Sequence, residues 1–522
     1  MTKTYALNGI KIEINEDFEK AFDMIENNFQ NVFITGKAGT GKSTFLEYFQ
    51  SITSKSIVVL APTGVAALNI KGQTIHSFFK FKPNITIDEA RIRKSQSKIY
   101  KKLDAIVIDE ISMVRSDLLD CIDAFMRLNG RHASKPFGGV QMILIGDLYQ
   151  LPPVVKYNER SLFYNYYKSP YFFDAKSFPN LNMQFIELKK HYRQTDNEFI
   201  QILNAIRNKT ATQQHLNIIN KRYDPSFNPK IVDKFITLTP TNNIADKINQ
   251  VQLKKIESHE YKYHAKIKGN ISANSYPNDE NLVIKPGAQI MFLNNDSSKR
   301  WVNGTIGVIK SIEQDYEEDI INVELADNSI VSVTPYKWDM FRFLYNKESG
   351  KIESEAIGSF TQYPIMLAWA ITIHKSQGKT FDKIIIDIGK GTFAPGQLYV
   401  ALSRCTTIKG IVLNKKFEQK HIFNNWRIVD FVTKYQYEQS EQKVSLSQKS
   451  EIIENAILNN KKIKIVYLKA NDEKSERIIN PSFIGNLEYQ GHIFLGLKGF
   501  DSKRKAERNF KLNRILELSI IE

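Results

Sequence analysis

Val32-Phe33-Ile34-Thr35 runs straight into Gly36-Lys37-Ala38-Gly39-Thr40-Gly41-Lys42-Ser43-Thr44, and a helical pattern follows. An apolar strand, a glycine-rich turn and a helix that opens on Lys-Ser form the eight-position phosphate-loop pattern in its proper context. Glycines let successive backbone N–H groups face phosphate oxygens, and the positive end of the helix adds to that field. Gly36, Ala38, Gly39, Thr40, Gly41 and Thr44 are therefore expected to cradle a nucleotide. Lys42 is expected to reach its β- and γ-phosphates, and the Ser43 hydroxyl to ligate Mg2+.

Downstream, Ala105-Ile-Val-Ile-Asp109-Glu110 is an apolar strand that ends in adjacent carboxylates. Such a pair suits a magnesium and water site: Asp109 holds the metal through its shell, while Glu110 points elsewhere and orients or deprotonates the attacking water. Taken alone, an Asp-Glu pair reads equally as a solvated strand end, and the phosphate loop upstream favours the catalytic reading. A GTP switch shares that loop but carries an Asn-Lys-x-Asp guanine site. The nearest string, Asn414-Lys-Lys-Phe417, lacks the aspartate, so ATP is the expected nucleotide.

The 522 residues are 42% hydrophobic and 25% charged, values of a multidomain globular protein. No apolar run reaches the roughly 20 residues of a membrane span, and the amino terminus lacks the apolar core of a secretion signal. No membrane association is expected. Cys121 and Cys405 lie too far apart in sequence to suggest a disulfide framework or a cysteine zinc site. Lysine plus arginine (72) exceed aspartate plus glutamate (56), a net charge of +16 that suits a polyanionic partner without identifying one.

Short β-branched runs alternate with helix-like stretches up to about residue 250 and again after 360, as in a parallel α/β sheet. Strands are expected at 31–35, 57–61, 105–109, 141–147, 235–240 and 383–388. Most end in Gly, Thr, Asp or Pro, which places their carboxyl ends along one ligand-binding rim. Between 252 and 360 the texture changes to short strands with turn residues, including Lys285-Pro-Gly287, Asn303-Gly304 and Asp327-Asn-Ser329. A polar, Gln- and Ser-rich stretch at 434–450 reads as a linker. Residues 451–522 begin with an amphipathic helix and continue as strands, a separate module.

Over residues 15–415 the chain resembles the superfamily 1B DNA helicases of the petite-integration-frequency (PIF) type, relatives of RecD. The motifs that carry the resemblance follow in order: Ala61-Pro-Thr-Gly-Val-Ala-Ala67 with Thr74-Ile-His-Ser-Phe-Phe79; Lys135-Pro-Phe-Gly-Gly-Val-Gln141; Gly146-Asp147-Leu-Tyr-Gln150-Leu-Pro-Pro153; Leu188-Lys-Lys-His-Tyr-Arg193-Gln194; Thr239-Pro-Thr-Asn-Asn243; Ile373-His374-Lys375-Ser376-Gln377-Gly378; and Tyr399-Val-Ala-Leu-Ser-Arg404. The resemblance implies two RecA-like P-loop NTPase lobes of α/β class. The first spans 1–180 with a small wedge near 78–100, and the second is built from 181–251 and 361–433 around an SH3-like β insertion at 252–360. It further implies that Gln150 senses the γ-phosphate, that Arg193 and Arg404 are arginine fingers, and that Gln377 and Gly378 line the nucleotide. Arginine suits those places because its planar fork meets phosphate oxygens with fixed geometry and stays charged.

Thr63, His76, Thr239, His374 and Lys375 would touch DNA, although a capping or core imidazole is the alternative for His76. The implied activity is 5′-to-3′ translocation on single-stranded DNA and unwinding of tailed or forked duplexes by a monomer, with ATP and Mg2+, in repair, replication or telomere-type maintenance. Polarity rests wholly on the resemblance. An RNA helicase, or a DNA-stimulated ATPase that remodels protein–DNA complexes without unwinding, stays open as an alternative. The implied location is the bacterial cytoplasm, at the nucleoid. Lys80, Lys82, Arg91, Arg93, Lys94 and Lys98 give the wedge a basic face that either follows a phosphate backbone or is simply solvated. One departure concerns the base: many such helicases read adenine with a glutamine where this chain has Phe18.

Residues 451–522 resemble a WYL domain, an Sm-like β-barrel, through Tyr467, Asn480-Pro481, Ile493-Phe494-Leu495 and the run from Arg508 to Ile515. Arg477, Arg504, Arg508 and Arg514 would line a groove for single-stranded DNA or a nucleotide, unless the arginines only solvate a structural barrel.

Overall fold

The computed structural model describes residues 3–521 apart from 8–9, 83–84, 92–97, 195, 231–232, 270, 272, 274–275, 317, 347–351, 390, 392–393, 424 and 471. It forms two units: residues 1–203 with 212–422, and residues 204–211 with 423–522.

In the first unit, six parallel strands lie in the spatial order Gln73–Thr74, Ile57–Ala61, Ala105–Ile108, Gln141–Ile145, Val32–Gly36 and Gln184–Leu188. Val32, Phe33, Ile34, Ile106, Val107, Ile108, Ile143 and Leu144 are fully buried, as expected where layers cover both faces of a parallel sheet. That two-sided burial is why these strands read as unbroken apolar runs. The two edge strands escape such a reading: Gln73–Thr74 is two residues long, and Gln184-Phe-Ile-Glu-Leu188 mixes polar with apolar positions.

A second parallel sheet orders Ala370–Thr372, Ile236–Thr239, Ile384–Ile386 and Ile411–Leu413. The helix Asn242–Lys254 packs on it, and the buried Asn249 amide both donates to Ala370 O (2.8 Å) and accepts from Ala370 N (2.9 Å).

The connecting stretch is β-rich, as expected. Its largest sheet is antiparallel, in the order Ile330–Val333, Ile320–Glu324, Ile306–Glu313, Gln289–Phe292 and Ile365–Leu367. A three-stranded sheet of Lys266–Gly269, Ile352–Gln362 and Tyr336–Tyr345 accompanies it, with a two-stranded one of Tyr261–His264 and Asn281–Ile284. The β pairing runs past residue 360 to Leu367, because Tyr363 and Ile365 belong to the same apolar core as Ile290, Phe292 and Val323. Phe343 of the long hairpin donates its N–H to Gln73 Oε1 at 3.3 Å, which ties it to the first sheet.

In the second unit, five antiparallel strands follow the order Ala506–Lys511, His492–Asp501, Lys474–Tyr489, Lys462–Leu468 and Ile515–Ile521. The first and last do not pair with each other, so among the described residues this sheet is open and no closed barrel forms. The helix Leu446–Leu458 fills its inner side, with Ile453 and Ala456 fully buried among Ile463, Ile479, Leu497 and Ile515. The stretch expected as a linker is helical. Trp426–Lys443 and Leu446–Leu458 are consecutive helices, the second opened by a capping box between Ser445 and Gln448. Gln, Glu and Lys favour helix as much as they favour solvent, and Ser440 and Lys449 both donate to Ile515 O, at 3.0 and 2.7 Å. No described helix is long and apolar enough to cross a membrane. Cys121 and Cys405 are buried free thiols.

Candidate active site

The strand Val32–Gly36 delivers the phosphate loop onto the helix Lys42–Ile52, whose cap, Gly41, has φ of 87°. Gly39 has φ of 78°, and a Cβ there would lie 2.6 Å from Cβ of Arg193. The loop and the Arg193 segment are thus in close contact, and Tyr192 N–H donates to Gly39 O at 2.8 Å. Thr40 closes the loop through a hydroxyl bond to Lys37 O (2.9 Å). The Lys42 ammonium donates to the carbonyls of Gly36 (2.7 Å) and Lys37 (2.9 Å). Ser43 is exposed and Thr44 half-buried in the first helical turn.

Asp109 leaves the end of Ala105–Ile108, with its N–H on Leu60 O at 2.9 Å. Glu110 takes a left-handed conformation (φ 49°), a turn that separates the two carboxylates. Burial raises the pKa of Asp109, although Lys42 opposes the shift. Burial, and next the charge of Asp109, push Glu110 up to about 7 against the pull of Lys42 and Arg404. At the neighbouring strand end the buried Asp147 carboxylate accepts from Tyr149 N–H (3.1 Å) and from Gln150 Nε2 (3.1 Å). Ser43, Asp109 and Lys42 make a donor set that fits Mg2+: a hydroxyl, a half-buried carboxylate and a neutralising cation, with water and phosphate free to complete the oxygen shell.

Residues around the second sheet close over these groups. Gln377 donates from Nε2 to Glu110 Oε2 at 3.0 Å. Tyr399, in the helix Gln397–Leu402, accepts the Ala38 N–H on its hydroxyl at 2.9 Å and reaches Asp147 Oδ2 at 3.5 Å. Arg193 donates to Ser403 O (3.2 Å) and Gly378 O (3.4 Å), and Gln194 donates to Ser403 O and Cys405 O, both at 3.1 Å. Arg404 is 1% exposed and is held by Val400 O (3.0 Å), Ser403 Oγ (2.9 Å), Ser376 O and Lys379 O (both 3.4 Å). Burial, then the nearby Arg193, lower its pKa to about 9. Gly378 has φ of 79° and nothing within 4 Å of where a Cβ would stand. Gly396 caps the helix Gln397–Leu402 so tightly that a Cβ would fall 2.2 Å from Tyr149 O.

The cleft therefore gathers Lys42, Asp109, Glu110, Arg193, Arg404 and Gln377 through these contacts, with Gln150 joined through Asp147. Tyr399, Gln194, Gly396 and Asp147 went unassigned in the sequence reading although each lies in or beside a quoted motif. The signal available was position alone, since nothing local to Tyr399 points at Ala38, 361 residues away.

The candidate DNA contacts are mixed. Thr63 caps the helix Gly64–Asn69 by accepting Ala66 N–H at 3.2 Å. His76 and His374 are half-buried imidazoles whose pKa values burial lowers, and Lys375 is exposed. Thr239 is corrected: it is fully buried at the end of a central strand and donates to Thr241 O (3.1 Å), while Thr241, Asn242 and Asn243 are exposed on that turn. Phe18 packs edge-on against Phe45 (5.3 Å) at 1% exposure, so it is a core residue. Lys80, Lys82, Arg91 and Lys98 are exposed in the wedge segment, whereas Arg93 and Lys94 lie outside the described residues. In the second unit Arg477 is corrected as well. It forms a buried ion pair with Asp501 at 2.9 Å, and only Arg504 and Arg508 are exposed, with Arg514 half-buried.

Comparison with known proteins decides the family. The PIF1-like helicase family model matches residues 13–216, and the WYL domain model matches 448–520. ATP-dependent DNA helicase Pif1 of Bdellovibrio bacteriovorus is 31% identical over 414 residues, 77% of this chain and 88% of that protein. Its counterpart from Campylobacter jejuni is 32% identical over 441 residues, 78% of this chain and 95% of that protein. The chain belongs to the Pif1 helicase family. Among solved structures, unliganded Pif1 from Bacteroides sp is 39% identical with a TM-score of 0.74, covering 81% of this chain and 96% of that one. Bacteroides sp Pif1 in complex with ADP-AlF4 is 38% identical with a TM-score of 0.75, covering 82% and 98%. The two parallel sheets are therefore the RecA-like lobes of a Pif1 helicase, and the WYL match lies in the second unit.

Proposed function

We propose that this chain is an ATP-dependent DNA helicase that steps 5′ to 3′ along single-stranded DNA and separates duplexes. The observation that carries the reading is the bond from Gln377 to Glu110: a residue beside one lobe's sheet holds the candidate catalytic carboxylate of the other. Hydrolysis in such a cleft changes what the lobes hold of each other, and a ligand-biased two-state motion becomes alternating grip.

The phosphate loop receives the triphosphate on its N–H groups, and Lys42 turns from its own carbonyls to the β- and γ-phosphates. Ser43 and Asp109 would hold Mg2+, which when bound neutralises charge between those phosphates. Glu110 orients the attacking water and takes its proton, with Gln377 fixing the carboxylate. Gln150, tied to Asp147, senses the γ-phosphate, and Arg193 and Arg404 exchange carbonyl partners for phosphate oxygens as the cleft closes.

Single-stranded and forked DNA are the proposed partners. A similar structure is of Bacteroides Pif1 bound to ssDNA, and another concerns DNA unwinding at forked dsDNA by Pif1 helicases; Thr63, His76, His374 and Lys375 are the contacts carried over by motif. The proposed organisation corrects the expected bounds: the first lobe extends past 180 to Leu188, whose strand pairs with Val32–Gly36. The second lobe resumes only after Leu367 and ends before residue 423, where the other unit begins, and the antiparallel pairing from Tyr261 to Leu367 supports an SH3-like insertion within it. The five-stranded sheet and its helix support an Sm-like relation for the WYL module, with Arg504, Arg508 and Arg514 left to meet single-stranded DNA or a nucleotide. The working unit is a monomer.

The test is ATP turnover by the full chain with and without a single-stranded oligonucleotide, in DNA and RNA versions, followed by strand displacement on duplexes carrying a 5′ or a 3′ tail. Stimulation by DNA and displacement from the 5′ tail are expected. Turnover indifferent to any oligonucleotide would end the motor reading, and displacement from the 3′ tail alone would reverse its direction.

A further inference from the structure

The turn at 374–379 touches two different surroundings. On the cleft side Gln377 holds Glu110, Gly378 O accepts from Arg193, and the carbonyls of Ser376 and Lys379 accept from Arg404. On the other side the Lys379 stem lies along Gly304: a Cβ there would stand 3.5 to 3.7 Å from Cβ, Cγ and Cδ of Lys379. Its ammonium donates to Asn303 Oδ1. Burial lowers the Lys379 pKa to about 8, which makes its amide partner its principal compensation.

Asn303 uses its other end as well. Its Nδ2 donates to Asn69 Oδ1 at 3.3 Å. Asn69 is the last residue of the helix Gly64–Asn69, whose first turn Thr63 caps. The Asn303 backbone is fixed from two directions, by its N–H on Asn295 Oδ1 (2.8 Å) and by Gly304 N–H on Phe292 O (2.9 Å). Gly304 takes φ of 100°, open to glycine and strained for other residues, so the turn that presents the amide is built for this one placement.

We infer that Asn303 is a positioning residue that couples ATP turnover in the cleft to the helix Gly64–Asn69 on the first lobe. An amide is suited to the role because it accepts at one atom and donates at another, so it can bridge a lysine and a second amide. The Asn303–Asn69 bond joins the insertion to the first lobe, and the Lys379–Asn303 bond joins the insertion to the turn that contacts Arg193, Arg404 and Glu110. A displacement of either lobe is felt by the other through this side chain. The inference rests on the DNA-motor reading and names one physical link within it.

The experiment compares steady-state ATP turnover of the full-length protein with and without a saturating single-stranded DNA oligonucleotide, for wild type, Asn303→Ala, Asn303→Asp and Asn69→Ala, with a thermal midpoint for each. Asn303→Asp keeps an acceptor for Lys379 and loses the donor to Asn69. Asn69 is exposed, so its truncation leaves the fold intact. The ratio of DNA-stimulated to DNA-free turnover is expected to fall about fivefold in all three variants, the scale of a modest coupling, with DNA-free turnover within about twofold of wild type. Stimulation unchanged in Asn303→Asp and Asn69→Ala overturns the coupling role. So does a loss confined to Asn303→Ala and matched by a lower thermal midpoint, which marks a structural residue. A wild-type protein that DNA does not stimulate at all fails at the earlier step and refutes the motor reading itself.

Discussion

The two walls of the nucleotide cleft are built differently. On the first-lobe wall the working groups are sequence neighbours at strand ends: Gly36 to Thr44 after one strand, Asp109 and Glu110 after another, Asp147 to Gln150 after a third. On the second-lobe wall they come from a turn and a short helix and meet backbone far away in sequence: Arg404 donates to Ser376 O and Tyr399 accepts from Ala38 N–H across 361 residues, while Arg193, which follows the edge strand of the first sheet, reaches over to Ser403 O. The first wall is a site by local geometry. The second becomes one only when the lobes meet, so damage to the phosphate loop of the first should strike binding and chemistry together, and damage to the second should separate them.

The sharpest break of that comparison is Lys42→Ala. It removes the cation that serves the phosphates, and ATP turnover is expected to fall at least about 1000-fold, read as phosphate release with saturating DNA. Arg404→Ala attacks the other wall: turnover falls about 1000-fold while a fluorescent ATP analogue still binds, because the phosphate loop is intact. Binding lost in parallel with turnover would show that both walls hold the ground state. Glu110→Gln keeps the Gln377 contact through an amide oxygen and removes the acceptor of a proton. About a 100-fold loss of turnover with nucleotide affinity retained is expected, and normal hydrolysis would take the role of base away from Glu110. The mildest change is Tyr399→Phe, which leaves the buried Ala38 N–H without its partner. An effect of about five- to tenfold on turnover, consistent with one buried hydrogen bond, is expected with the thermal midpoint little changed. No effect would mean that the phosphate loop is set by the first wall alone.

The same contrast explains what could be read from the residues. Strands buried on both faces announced themselves as apolar runs, and the glycine pattern with the acidic strand end marked the first wall without any relative. Arg193 and Arg404 carry no local signal, since an arginine after a strand or helix is ordinarily a surface ion pair, and motif resemblance found them. Composition misled where polar side chains face inward. The 434–450 stretch is hydrophilic yet helical, with Ser440 and Lys449 bonded to Ile515 O. Arg477 was expected to face a ligand, and a neighbouring strand supplies Asp501 to neutralise it. Thr239 had the right motif and the wrong depth, because a central strand leaves no outlet for its side chain.

Gly396 has a mechanical meaning. A methyl group there would overlap the Tyr149 and Gln150 carbonyl oxygens at 2.2 and 2.8 Å, so the contact is main chain against main chain. Flexible side chains normally cushion an interface by changing rotamer, and here there is no cushion to compress. A joint of that kind sets a hard minimum separation: any side chain at 396 would push the helix Gln397–Leu402 outward and carry the Tyr399 hydroxyl away from Ala38 N–H.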